Sequence, residues 1–173
     1  MRVLFEIDKE NYVKDGTIER RPSVRGIIIK DSKIAMMHSL LYEYYKLPGG
    51  GIEPNETYEE ALVREVKEES GLTVKQETIK EYGYVQRIEK GNIEDIFIQD
   101  NYYFICGVED HIDKQNLDDY EEYEMFQLEF VYPEYAIHIN KSSDHKEKKN
   151  DQRFSSMIER ENRLLQIITN EIL

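Results

Sequence analysis

The sequence predicts an α+β domain built from mixed and antiparallel sheets, with one central helix and one C-terminal helix. Three observations predict it. Runs rich in β-branched and aromatic residues recur between turn signals, as in "VRGIIIKDSKIAMMHS" and "YGYVQRIEKGNIEDIFIQDNYYFICGV". One amphipathic stretch, about residues 58 to 70, carries a start and a stop signal. Near the C-terminus, Phe154, Met157, Ile158, Leu164, Leu165 and Ile168 fall at helical spacing. The 173 residues form a single domain over 1–173, with no internal repeat and with residues 1–20 as an N-terminal extension.

In chain order, "MRVLFEIDKENYVKDG" offers Val3, Leu4, Phe5 and Ile7 before charge takes over, and lacks the apolar centre of a signal peptide. The runs Gly26–Ile29 and Ile34–Met37 flank the turn signal Asp31-Ser32 and form a hairpin. "YEYYKLPGGG" is a short aromatic strand entering a glycine loop. The central helix follows. "YGYVQRIEK" and "IEDIFIQDNYYFICGVE", separated by Gly-Asn, form an antiparallel pair. "MFQLEFVY" is a further strand, and Pro133 opens a helical turn in "PEYAIHIN". Residues 140–152 hold no apolar side chain and are expected to be a mobile loop.

Charge and cysteine content narrow the function classes. The formal net charge of −13 repels nucleic-acid backbones and anionic lipid, so no DNA binding is expected. It leaves room for phosphate compounds when divalent cations stand between the anions. No apolar run approaches the roughly 18 residues of a membrane span, and a cytoplasmic location is expected. The single cysteine, Cys106, rules out an internal disulfide and sits in an apolar run, as a core residue would.

The chemistry concentrates in Gly50–Leu72, which holds seven glutamates in 23 residues. Thr57 and Glu60 form a capping box, and Gly71 stands where a left-handed residue ends a helix. On a helical wheel, Glu65 and Glu69 fall inside the arc of Ala61, Leu62 and Val66, with Glu68 on its edge. Glu59 also falls in the arc, in the first turn, and has no assignment. Inward carboxylates cost several kcal/mol each unless their charge is compensated. A divalent cation supplies that compensation, and residues at i, i+3 and i+4 can reach one ion. The spacing favours the cation over a wet acidic edge.

Gly50, Glu56, Arg64, Glu65, Val66, Glu68, Glu69, Gly71 and Leu72 together fit the pattern G-x5-E-x7-R-E-U-x-E-E-x-G-U, with U a bulky aliphatic. This resembles the Nudix box, and the order of elements around it, from about residue 20 onward, resembles the Nudix fold, an α/β/α sandwich. The resemblance implies a hydrolase that cleaves a nucleoside diphosphate linked to another moiety X by attack of water at phosphorus. It implies Mg²⁺ or Mn²⁺ held by Glu65, Glu68, Glu69 and the Gly49 carbonyl, with Glu65 as ligand or general base. Gly50, Glu56 and Arg64 take shaping and orienting roles. A later acid often serves as base or extra ligand, and in "LDDYEEYEMF" Glu121 is the choice over Glu122 and Glu124. Glu94 and Asp95 are further acids that could face the cleft. Arg25 is a candidate to touch phosphate, and Tyr45, with Tyr44, Tyr102 and Tyr103, to stack on a base. The four histidines show no ligand spacing. A nucleotide-type substrate is implied, and a homodimer is among the expectations. The alternatives are a catalytically silent nucleotide-sugar sensor and an isoprenoid diphosphate isomerase. The isomerase would need a reactive cysteine.

Overall fold

Asp31 and Ser32, both at positive φ (51° and 60°), turn the chain tightly enough for Ile29 and Lys30 to pair with Ile34 and Lys33, while Gly26 and Ile27 of the expected hairpin pair instead with Phe104 and Ile105 in another sheet. A computed structural model, describing residues 1–173, shows what this hairpin joins. The strands are β1 (Val3–Asp8), β2 (Ile18–Arg20), β3 (Ser23–Ile27), β4 (Ile29–Lys30), β5 (Lys33–Ser39) and β6 (Tyr44–Lys46), then β7 (Leu72–Val74), β8 (Lys80–Lys90), β9 (Ile96–Ile105), β10 (Val108–Ile112) and β11 (Phe126–Val131). The helices are α1 (Tyr58–Ser70), α2 (Asp119–Tyr123), α3 (Pro133–Ser142) and α4 (Gln152–Glu171).

A five-stranded mixed sheet runs β1-β8-β9, with β2 and β3 both pairing in parallel along the far side of β9. The β8–β9 pair is antiparallel and β1–β8 parallel. A four-stranded antiparallel sheet has β5 between β11 on one side and β4 and β6 on the other. β7 and β10 form a small antiparallel pair.

Each sheet face buries its alternate side chains against a helix, which sets the layers. Ala61, Leu62 and Val66 of α1 pack with Val24, Ile28, Phe104 and Cys106. Leu164, Leu165 and Ile168 of α4 and Ala136 of α3 pack with Ile27, Ile34, Met36, Tyr45 and Val85. The result is a sheet core with α1 on one side and α3 and α4 on the other.

The N-terminal segment is part of this architecture. Ile7 on β1 is buried and Leu4 and Phe5 pack against the core. Residues 140–152 differ from expectation as well. The first three end α3, and residues 146–150 form a 3₁₀ turn. The segment is anchored by polar groups in place of apolar ones. Asn140 accepts from the Tyr45 N–H at 2.7 Å and donates to the Tyr45 carbonyl at 3.1 Å, acting as a pairing partner for β6. The Tyr42 hydroxyl donates to Glu147 at 2.6 Å, and Lys148 pairs with Glu124.

Candidate active site

The loop from β6 to α1 is pinned to β3 through its backbone. The Gly26 N–H donates to the Pro48 carbonyl and the Val24 N–H to the Gly50 carbonyl, both at 2.9 Å. Gly49 lies at φ 133°, and a side chain there would collide with the Val24 carbonyl, so the position needs glycine. Its N–H donates to Glu69 Oε2 at 2.8 Å, while its carbonyl accepts no hydrogen bond. A side chain at Gly50 would run into the Glu65 carboxylate. The two glycines let this loop lie directly on the acids of α1.

α1 begins and ends as its caps dictate. Thr57 Oγ1 accepts the Glu60 N–H, Glu60 accepts the Thr57 N–H, and Gly71 closes the helix at φ 76°. Glu69 is only 1% exposed, Glu65 is half-buried, and Glu59 is exposed in the first turn despite its place on the wheel. Arg64 organises the open side. Its guanidinium makes a two-pronged bond to Glu56, 2.8 Å on each prong. It also donates to Glu65 at 2.8 Å, to Glu68 at 3.2 Å and to the Gly51 carbonyl at 3.1 Å. The hydrogen bonds from Arg64 hold the Glu56 carboxyl below its ordinary pKa. Burial pushes Glu65 up, with Arg64 opposing.

A lysine absent from the expected site residues completes this cluster. Lys46, buried at the end of β6, lies 2.7 Å from Glu69 Oε1 and 3.8 Å from Glu121 Oε1, and donates to the Tyr120 hydroxyl at 2.9 Å. Burial works against its charge, but Glu69 and Tyr120 together hold its pKa above the ordinary lysine value. Glu121 is the third residue of α2, held by Asp118, whose carboxylate accepts the Glu121 N–H. Its carboxyl is pushed up to about 7, first by burial and then by the charge of Glu69, against Lys46. Glu122 is exposed, and the buried Glu124 is committed to the Tyr44 hydroxyl at 2.7 Å and to Lys148. Of the three glutamates in that loop, Glu121 alone stands beside the Lys46–Glu69 pair.

No three acidic, histidine or cysteine side chains converge on one point, because Glu65 and Glu68 lean to Arg64 and Glu69 to Lys46. The donor set still fits a hard divalent cation. The Gly49 carbonyl has no partner, and Glu69 Oε1, close as it is to Lys46, is not aligned with any hydrogen-bond donor. These two oxygen acceptors belong to residues tied together by one hydrogen bond, with Glu65 against the next glycine.

Arg25, on β3, is 8% exposed and lines a cavity beside Lys46. Tyr45 does not reach that cavity. It is 1% exposed, its ring stacks on His38 at 4.2 Å, and its hydroxyl donates to Glu129 at 2.8 Å. The strand alternation of β6 turns its neighbour Tyr44 to the cavity wall instead. Tyr103 is fully buried and Tyr102 stacks on Tyr58. Asp95 accepts from the Thr17 N–H and hydroxyl at the β8–β9 hairpin and does not line the cavity beside Lys46. Cys106 is buried in the core beneath α1, and burial pushes its thiol up to about 12, which does not suit a catalytic cysteine.

The family model for the NUDIX domain matches residues 19–146. The chain belongs to the Nudix family. An ADP-ribose pyrophosphatase from Methanocaldococcus jannaschii is 41% identical over 75 residues, which are 40% of this chain and 44% of that relative's length. The chain thus spans under half of the curated relative it matches. A NUDIX hydrolase from Nitrosomonas europaea shares the fold with a TM-score of 0.56 at 15% identity, over 80% of this chain and 89% of that one. A MutT protein from Bacillus halodurans does so at 0.55 and 18% identity, over 69% and 72%. The Nudix box of this chain is the α1 loop-helix-loop described above.

Proposed function

We propose that this Nudix chain, a single domain over residues 1–173, is a metal-dependent pyrophosphohydrolase acting on a nucleoside diphosphate linked to another moiety. The observation that carries the reading is the buried Glu69 carboxylate, fixed by the Gly49 N–H beside a carbonyl without a partner and next to Glu65. Carboxylates so placed suit a cation-assisted phosphoryl reaction, which depends on positioning and electrostatics more than on a covalent nucleophile.

Glu65, Glu68, Glu69 and the Gly49 carbonyl would hold Mg²⁺ or Mn²⁺, which when bound neutralises phosphate charge and lowers the pKa of a water. Glu56 and the Gly51 carbonyl hold Arg64, and Arg64 in turn orients Glu65 and Glu68. Glu121, with its carboxyl raised to about 7, suits the exchange of a proton with an attacking water near neutral pH. Arg25 and Lys46 supply positive charge on the side of the cleft where the substrate phosphates lie.

The test is a chromatographic screen for nucleotide products with Mg²⁺ and Mn²⁺ over oxidised deoxynucleoside triphosphates, ADP-ribose, nucleotide sugars and dinucleoside polyphosphates. Release of a nucleoside monophosphate from at least one class, abolished by EDTA, is expected. Full activity in excess EDTA would overturn the reading.

A further inference from the structure

Six cations line the cavity beside Lys46: Arg25, Lys46, Arg87, Lys148, Arg153 and Arg160. One carboxylate lines it, Asp151, and that group caps α4 by accepting the N–H of Arg153 and Phe154. This concentration runs against the composition, which has 36 acidic residues to 23 basic ones. Four of the six have a carboxylate within ion-pair distance: Lys46 has Glu69, Arg87 has Glu89, Lys148 has Glu124 and Arg160 has Glu161. Arg25 and Arg153 have none.

Arg25 is the most telling of these. It is more than nine-tenths buried, and its Nε and Nη1 find no hydrogen-bond partner. Arg160, fully buried, likewise keeps an unpartnered Nε. Burial, with Arg160 the next cause, pushes the Arg87 guanidinium down to about 9, so these cations work against one another. Unpaired buried guanidinium groups are costly unless a bound anion compensates them, and the arginine fork matches phosphate geometry.

The cavity has a volume of about 220 Å³, below the roughly 300–1,000 Å³ of pockets that take a whole drug-sized ligand. It therefore suits a charged group better than an entire nucleotide. Lys46 is a wall of this cavity and lies 2.7 Å from Glu69, so the cavity adjoins the box carboxylates.

The geometry points to a second phosphate site: we infer that moiety X of the substrate carries a phosphate of its own, or extends the phosphate chain, and places it among Arg25, Arg153 and Arg160. This rests on the pyrophosphohydrolase reading and narrows it to substrates with an anionic group beyond the scissile diphosphate. Nucleotide sugars with a neutral sugar are disfavoured by it.

The pocket and the reaction can be tested apart. Calorimetric titration of the whole chain with inorganic pyrophosphate in EDTA needs no turnover. One site is expected, weakened at least about tenfold in Arg153→Ala and in Arg25→Gln, as loss of a charged contact implies. It should be unchanged in Arg163→Ala, an equal charge change on the same helix. Arg153 is only half-buried, so its variant guards against a folding defect in the other. Absence of binding, or equal weakening by Arg163→Ala, overturns the site. Turnover is then compared for matched pairs: ADP-ribose with and without a phosphate on its terminal ribose, and dinucleoside diphosphate against tetraphosphate. The phosphate-rich member should have the higher kcat/KM, and Arg153→Ala should erase the preference. Pyrophosphate binding without any such preference overturns the substrate assignment. Turnover of no substrate at all strikes the hydrolase reading, and the titration then decides the pocket by itself.

Discussion

A glutamine at position 69 keeps the acceptor for the Gly49 N–H and removes the charge beside Lys46. Charge stabilisation by a bound cation is worth several kcal/mol, at about 1.4 kcal/mol per tenfold in rate. Glu69→Gln should therefore lower kcat at least about a hundredfold with its circular dichroism spectrum unchanged, and turnover near the parent level would remove Glu69 from the site. Glu56 offers a pH test. Arg64 holds its carboxyl below the unfolded value, so the stabilisation is present above about 4.3, the unfolded pKa, and is lost as pH falls through the folded one. Glu56→Gln should lower the urea midpoint at neutral pH, and that difference should close on acidification; a difference independent of pH would contradict the pairing. Cys106 gives a third check at this scale. With its thiol raised to about 12 and its side chain in the core, labelling by a disulfide reagent at neutral pH should be slow in the folded chain and fast in denaturing urea. Rapid labelling of the folded protein would place the thiol at the surface.

At the scale of elements, α1 was legible in the sequence because its limits are set by local chemistry. The capping box at Thr57 and the left-handed glycine at 71 act within a few residues, and the observed helix spans Tyr58–Ser70 between them. Replacing Thr57 by alanine should cost about 1 kcal/mol of stability, read as a lower urea midpoint. An unchanged midpoint would mean that tertiary packing alone fixes the end of the helix. The burial of Glu69 was legible too, from the wheel. The exposed Glu59 was not, since a wheel treats every turn alike and does not register that the first turn of a helix ends in solvent. Residues 140–152 depart from the pattern for a related reason. Absence of apolar residues signals a loop only where nothing polar is buried, and here Asn140 pairs with the backbone of β6. The composition of β6 marks it as a strand but does not phase its alternation. The sequence therefore does not distinguish Tyr45 from Tyr44, which is the residue on the cavity wall.

Across the whole molecule, the basic cavity was not visible in the sequence beyond Arg25. Its cations come from β3, β6, β8, the 3₁₀ turn and α4, so no window of an acidic chain gathers them. Only the packing of α4 across the sheet brings Arg153 and Arg160 to Arg87 and Arg25. The same packing joins the two ends of the chain. β1 pairs in parallel with β8, placing Ile7 opposite Arg87, while Arg163 of α4 lies 4.2 Å over the ring of Phe5 and Arg2 pairs with Glu171. Residues 1–8 are therefore structural to the domain. A chain beginning at Lys9 would leave the β8 edge unpaired and uncover the core beside Ile7. Burying one such side chain is worth about 1.5–3 kcal/mol, and an open strand edge templates association. The shortened chain should unfold at a lower urea midpoint, by at least about 2 kcal/mol, and should associate with rising concentration in sedimentation velocity. A monomeric product with the parent's midpoint would show that β1 is an appendage, and the domain would then begin at β2.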